Sequence, residues 1–409
     1  MPPYLDVMDR IDQPKLTNRQ YLVPFVLITS LFFLWGFARA ILDVLNKHFQ
    51  NVLDISITQS ALIQVTTYLG YFLMAIPAGW FINRNGYRRG VVFGLLLFGV
   101  GALLFIPGSA IGTFYAFLGP LFIIGCGLVF LETAANPYVT ELGDRRTASS
   151  RLNFSQSFNG LGCLFATFVV GQFFFSGEQD DSDAVVPYTL LGILVLCIAV
   201  VFSRVELPEI SHEETEEDRA SGTRIMKLFR RHPMFVFGLF ALLAYEVAEI
   251  SINSYFINFV TGQGWMDDNT ASIVLTAALG FFMIGRFLGS WIMRRMKAQQ
   301  LLMYCAIGSV LCMVVVLLDL GKLSMIGLIA NYLFEAIMFP TIFTLSLWKL
   351  GNLTKSASSL LMMTPIGGCG FLLMGLVADV TNLVIPFIIP FIGYFIVLIF
   401  ASELCRKRA

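Results

Sequence analysis

Seven ionisable side chains stand inside runs of apolar residues, where a charge is costly and needs a reason. Five are acids (Asp43, Glu132, Glu246, Glu249 and Glu335) and two are the guanidiniums of Arg39 and Arg286. Arg39 and Asp43 are four residues apart, as are Glu132 and Asn136, so each pair shares one face of a helix. Glu246, Glu249 and Asn253 recur at i, i+3 and i+7, and Asn153, Gln156 and Asn159 at i, i+3 and i+6, which draws two polar stripes. Two chemistries suit such a set. A carboxyl held away from water takes up and gives up a proton, and convergent amides and carboxylates hydrogen-bond a polyhydroxylated ligand. The same charges would also serve as buried ion pairs that lock helices together, which is the simpler expectation for Arg286 and Glu335.

The elements that must position these groups follow from composition. Of 409 residues, 57% are hydrophobic and 13% charged, against about 45–50% apolar and about 25% charged in soluble domains. A bilayer is the solvent that accepts this excess, and a helix crossing it needs roughly 20 mostly apolar residues. Twelve such segments are expected, at about 21–46, 60–82, 89–107, 113–137, 154–176, 186–203, 234–261, 270–293, 301–318, 323–348, 357–379 and 384–402. At the centre of a bilayer an ionisable group costs about 2.5–3.5 kcal/mol even on the lenient insertion scale, so each of the seven is expected to face a partner or an aqueous cavity.

The chain divides in two. Residues 1–203 are expected to form one six-helix bundle and 234–409 a second, joined by a solvated linker at 204–233 that is acidic from Glu213 to Asp218 and basic from Arg224 to Arg231. The halves are related: Ser60–Gly79 aligns with Thr270–Gly289 without a gap at seven of twenty positions, and Glu132-xxxx-Pro137 echoes Glu335-xxxx-Pro340. Paired repeats of this kind place a ligand site between the halves near mid-membrane. The loops after even-numbered helices and the two tails hold 23 of the 27 Lys and Arg, which predicts that both termini are cytoplasmic. The loops on the other side are acidic, with Glu178, Asp180, Asp181, Asp183, Asp267 and Asp268.

Several classes are excluded. Lys+Arg and Asp+Glu are both 27, so no basic excess invites nucleic acid. No HExxH, GxSxG or GxxxxGK[ST] occurs, and the three His fall at or beyond helix ends, so neither an enzyme, an ATP-driven pump nor a metal site is expected. The seven Cys contain no CxxC pair and read as packing thiols, and no cofactor is called for. The polar first twenty residues carry no signal peptide.

At Leu131-Glu132-Thr-Ala-Ala-Asn136-Pro137 the chain resembles the L-fucose:proton symporter family of the major facilitator superfamily. Four further stretches agree: Ser30-Leu-Phe-Phe-Leu-Trp-Gly36, Ala38-xxxx-Asp43, Arg151-Leu-Asn-xx-Gln156-xx-Asn159-xx-Gly162 and Phe339-Pro-Thr-Ile-Phe343. The resemblance implies an all-α integral membrane protein with twelve helices in two pseudo-symmetric bundles, working as a monomer in the bacterial inner membrane. By that likeness Asp43 matches the family's proton carrier, Glu132 its sugar-binding acid, and Gln156 and Asn159 its sugar-binding amides. Gly79-Trp-Phe-Ile-Asn83-Arg-Asn-Gly-Tyr-Arg-Arg89 matches the superfamily's GxxxDRxGRR loop, with Asn83 in place of the Asp. Ala248-Glu249-Ile-Ser-Ile resembles instead the glucose/galactose and N-acetylglucosamine branch, since the fucose branch has Gln at Glu249 and Asn at Arg39.

The expected function is therefore import of a monosaccharide, L-fucose or a related hexose, by proton symport. Asp43, Glu132 and Arg39 are the candidate proton-coupling group. Glu132, Asn136, Gln156, Asn159, Glu249 and Asn253 are the candidate sugar ligands, and Trp35, Tyr68 and Tyr255 are rings able to stack on a sugar. Sodium coupling through the same carboxylates, Arg39 as partner of an acidic sugar, and a non-transporting receptor on the same fold are the alternatives.

Overall fold

A computed structural model describes residues 16–17, 19–53, 55–144, 147–175, 185–205, 226 and 228–408. Eleven helices among them are long and apolar enough to cross a membrane: α1 (Arg19–Leu53), α2 (Thr58–Asn85), α3 (Tyr87–Ile111), α4 (Phe114–Glu141), α6 (Val185–Arg204), α7 (Pro233–Gly262), α8 (Asp268–Ile292), α9 (Ala298–Leu317), α10 (Lys322–Ser346), α11 (Ser356–Val380) and α12 (Ile385–Lys407). The remaining long helix, α5 (Ala148–Phe175), carries the Asn153–Gln156–Asn159 stripe and spans the same depth. Twelve crossings return the chain to its starting side, so Arg19 and Lys407 lie at one end of the bundle, here the terminal end. Most of the linker expected at 204–233, together with Arg145, Arg146, Glu178, Asp180, Asp181 and Asp183, lies outside the described residues.

All twelve expected segments are helical over most of their described residues, but several overrun their expected ends. The helix α1 continues past residue 46 to Leu53 because its polar last turns have partners: Gln50 donates to Ser60 Oγ at 2.7 Å, and Lys47 pairs with Asp268 at 3.5 Å. At the other end of the bundle α5 begins six residues before its apolar run, at Ala148.

That early turn carries Arg151, which is fully buried. Its guanidinium donates to the carbonyls of Val139 (2.7 Å), Thr140 (2.5 Å), Asp144 (3.3 Å) and Leu16 (2.9 Å), and to Thr147 Oγ1 (2.8 Å). Two of these carbonyls belong to the last turn of α4, whose acceptors have no partner within the helix. Arg151 is thus the cap that closes α4, and Arg151→Met should cost about 3 kcal/mol, seen as a lower thermal-aggregation midpoint of the purified protein. A midpoint equal to wild type would show that water replaces the cap.

Packing repeats with a period of six helices. Contacts of α1 with α5, α3 with α4, α3 with α6 and α2 with α4 recur as α7 with α11, α9 with α10, α9 with α12 and α8 with α10. The two bundles meet where α5 packs on α8 and α2 on α11. Large apolar side chains such as Leu190, Phe240, Leu311 and Leu373 stay exposed on the outside, facing the hydrocarbon.

Two helices on the central face are broken at mid-depth, and proline explains both breaks. Pro340 cannot donate to the carbonyl of Ala336, and α10 is interrupted at 336–337. Pro365 cannot donate to the carbonyl of Leu361, and α11 passes through the 3-10 segment Thr364–Cys369. Both freed carbonyls are recaptured: Arg286 Nε donates to Ala336 O at 3.0 Å, and Thr364 Oγ1 to Leu361 O at 2.7 Å. Broken helices are tolerated in a membrane only where such partners exist.

Candidate functional site

The central space is built from both halves, with α1, α2, α4 and α5 on one side and α7, α8, α10 and α11 on the other. Gly367 and Gly368 in the broken part of α11 set how closely it approaches. A Cβ on Gly367 would overlap the backbone between Glu246 and Val247, and one on Gly368 would overlap the Tyr68 ring. Glycine is what lets α11 seal Glu246 inside, where it is fully buried.

Three polar networks cross the interface. In the first, Arg39 of α1 reaches α7: its NH2 nitrogen lies 3.1 Å from Glu246 Oε2 and 2.8 Å from Glu249 Oε2. Its Nε donates to Tyr68 Oη at 3.2 Å, and Asn253 Nδ2 donates to Glu249 Oε1 at 2.9 Å. The four-residue spacing of Arg39 and Asp43 pointed to a pair on one helix, but the guanidinium turns away to the opposite half. The group Asp43–Arg39–Glu132 is therefore not a bonded triad. Two carboxylates on α7 outcompete one carboxylate a turn away.

In the second network Asp43 accepts from Ser254 Oγ of α7 at 2.7 Å. Ser254 in turn accepts from Gln64 Nε2 at 3.1 Å, and Gln64 Oε1 accepts from Asn46 Nδ2 at 2.8 Å. No ion pair to Asp43 is found among the described residues.

The third network carries the polar stripe of α5. Arg286 of α8 donates from NH1 to Gln156 Oε1 and Asn159 Oδ1, both at 3.0 Å, and to Gln156 O at 2.6 Å. Gln156 Nε2 donates to Asn136 Oδ1 at 3.2 Å. Glu132 accepts from Tyr71 Oη at 3.1 Å. The expectation of an ion pair for Arg286 and Glu335 is not met: Arg286 lies over the Phe282 ring at 4.2 Å among neutral acceptors, while Glu335 accepts from Asn331 Nδ2 at 2.8 Å and from Tyr394 Oη. Helix locking here is done by hydrogen bonds to uncharged partners.

Between these networks lies a void of about 10 Å³, bordered by Arg39, Glu132, Gln156, Glu246, Glu249 and Arg286, with Trp35, Tyr245 and Phe339 completing its wall. Ligand pockets hold about 300–1,000 Å³, so the halves must part before anything larger than a water molecule enters. They are joined at both ends. At the terminal end Ser150 Oγ donates to Ser290 O, and Ser290 Oγ to Ser150 O, each at 2.9 Å. At the opposite end Lys47 pairs with Asp268, and Thr58 Oγ1 donates to Asp379 at 2.9 Å. A larger cavity of about 350 Å³, lined by Glu141, Thr344, Trp348 and Lys349, lies at the terminal end.

Of the expected site residues, Arg39, Glu132, Gln156 and Glu249 border the void, and Asn136, Asn159 and Asn253 stand one bond behind it. Asp43 sits further toward the opposite end, in its own network. Of the candidate rings, Trp35 lines the void and Tyr68 holds Arg39, whereas Tyr255 packs edge-on against Phe371 and Phe387. Sequence reasoning missed Ser254, Tyr71 and Gln64. A signal existed for two of them: Gln64, Tyr68 and Tyr71 recur at i, i+4 and i+7 on α2, one polar face in an apolar run.

The same residues carry similarity to known proteins. The family model of the Major Facilitator Superfamily matches residues 28–364. The glucose/galactose transporter of Brucella abortus biovar 1 (strain 9-941) is 34% identical over 388 residues, covering 92% of this chain and 93% of that protein. The L-fucose-proton symporter of Escherichia coli (strain K12) is 32% identical over 418 residues, covering 96% and 95%. A crystal structure of the E. coli fucose:proton symporter superposes with a TM-score of 0.81 at 31% identity, over 94% of this chain and 99% of that one.

Proposed function

The chain belongs to the Major Facilitator Superfamily, and from that premise we propose that it imports a monosaccharide, L-fucose or a related hexose, by proton symport with alternating access. One observation carries this reading: Asp43 sits at the seam between the halves with a hydroxyl, not a cation, as its partner. A carboxyl so placed is free to take a proton from one side and release it to the other as the halves rock, and its bond to Ser254 makes closure sensitive to what it carries.

The sugar's place is the space that opens around the void. Glu132, Gln156 and Glu249 face it directly, Asn159 is within reach once Arg286 lets go, Asn136 and Asn253 stand behind Gln156 and Glu249, and Trp35 offers a ring face. Each chain carries a complete set of these groups between its own halves, which supports a monomer as the working unit. The positive bias of the loops after even-numbered helices supports a bacterial inner-membrane orientation with both termini in the cytoplasm.

A second cargo reading has its own support. Arg39 and Glu249 are the charged residues that set this chain apart from the fucose branch, and the glucose/galactose transporter of Brucella abortus is 34% identical. Glucose or galactose, with sodium as an alternative coupling ion, is the competing assignment. Uptake of labelled L-fucose, glucose, galactose and N-acetylglucosamine into proteoliposomes tests both. Acid-outside, sodium-free conditions are expected to drive accumulation that a protonophore collapses. Accumulation that requires sodium at fixed pH would refute proton symport.

A further inference from the structure

We propose that Glu246 and Glu249, bridged by Arg39, form a proton-binding site distinct from Asp43, and that its proton is required for the two halves to close. This rests on the transport cycle proposed above and adds a second titrating group to it.

The argument begins with charge. Arg39 brings one positive charge across the interface and meets two carboxyls, both on the same NH2 nitrogen. If both were ionised, the closed interface would hold an uncompensated negative charge away from water. The side chains of Glu246 and Glu249 are only 1% and 8% exposed, so solvent cannot screen it.

Geometry says which carboxyl carries the proton. Glu249 is satisfied at both oxygens, by Arg39 on Oε2 and by Asn253 on Oε1. Glu246 has Arg39 on Oε2, but its Oε1 is buried without any hydrogen-bond partner. A bare carboxylate oxygen in that position is the costlier state, and a neutral carboxylic acid the cheaper one. The groups around it supply no second cation. Tyr68 of α2 and Tyr245 of α7 are neutral phenols, Glu132 of α4 is a further acid, and α11 sets Gly367 against the Glu246 backbone. Arg286 of α8 borders the same void but is committed to Gln156, Asn159 and Ala336.

Closure brings Arg39 and the α7 pair together, because they lie on opposite halves. Separation removes the guanidinium, which by itself favours the proton, but it admits water, which stabilises the ionised carboxylates by more. The site therefore has a reason to bind its proton on closing and to lose it on opening. The sign is fixed: closure is supported at low pH and lost as pH rises through the range where Glu246 ionises.

The test is sugar counterflow at equal pH on both sides, in the Asp43→Asn background so that Asp43 does not titrate. The ratio of the rate at about pH 6 to that at about pH 9 is expected to exceed tenfold, and adding Glu246→Gln to bring it near one. Glu249→Gln removes the second negative charge and should also flatten the profile, which serves if Glu246→Gln fails to fold. Independently, the infrared C=O stretch of a protonated carboxylic acid should be lost from the Glu246→Gln protein at neutral pH. An alkaline fall that survives in both variants, an unchanged infrared spectrum, or a rate restored by sodium would each overturn the proposal. None of these readouts needs a pH gradient, so they stand apart from the test of proton symport itself.

Discussion

Asp43→Asn is expected to abolish accumulation of sugar against its gradient while leaving exchange of labelled for unlabelled sugar in place. One pH unit is worth 1.36 kcal/mol, so symport of one proton supports about tenfold accumulation per unit. The variant should reach an inside-to-outside ratio near one whatever the gradient. Asparagine accepts the same hydrogen bond from Ser254 Oγ and so preserves the contact that joins α1 to α7. It cannot gain or lose a proton, so sugar affinity ceases to depend on a proton at position 43, and by reciprocity that proton ceases to depend on sugar. Counterflow is the control that the protein is folded and mobile. Wild-type accumulation by Asp43→Asn would remove Asp43 from the coupling group.

Arg39→Asn should produce a loss of stability as large as that of Arg151→Met. It leaves Glu246 and Glu249 facing each other in the closed interface without their shared cation. Removing one partner of a buried ion pair costs about 3–5 kcal/mol, and because the Arg39 side chain is 20% exposed the lower end of that range applies. The thermal-aggregation midpoint in detergent should fall, and uptake with it. The double variant Arg39→Asn with Glu249→Gln should recover most of the loss, since it replaces the charged pair by two amides, the combination found in the fucose branch. A double variant as unstable as the single one would mean that Arg39 acts through Tyr68 rather than through the α7 acids.

The two predictions separate two jobs that lie within one turn of α1. Asp43 is assigned to the travelling proton. Arg39 is assigned to the seal between the halves, and Glu246 connects the seal to pH. The arrangement also explains why a helix can carry both charges without their neutralising each other: their partners are on another helix, and Asp43 keeps a hydroxyl.

Much of the architecture was legible because a bilayer allows few solutions. A chain that must satisfy its backbone internally crosses as helices, so apolar runs of about 20 residues report the fold almost directly. Even α5 was legible despite Asn153, Gln156 and Asn159, since their spacing keeps them on one face. Helix ends were not, because the turns beyond the hydrocarbon are decided by partners such as Ser60 for Gln50 or the α4 carbonyls for Arg151. The breaks in α10 and α11 were marked by Pro340 and Pro365, but not the donors that make them tolerable.

In the site, the amino-acid sequence by itself determined which ionisable residues would need a partner or a cavity. Acids and guanidiniums do not persist in hydrocarbon without a use, so Arg39, Asp43, Glu132, Glu246, Glu249 and Arg286 stood out from their surroundings. Only the tertiary structure decided who pairs with whom. Arg39 passes over Asp43, four residues away, for Glu246 and Glu249, 207 and 210 residues away. Ser254, Tyr71 and Gln64 carry no charge to betray them. Periodicity records which face of a helix a group occupies, but the partner across the seam is set by how two bundles dock, and no local pattern encodes that.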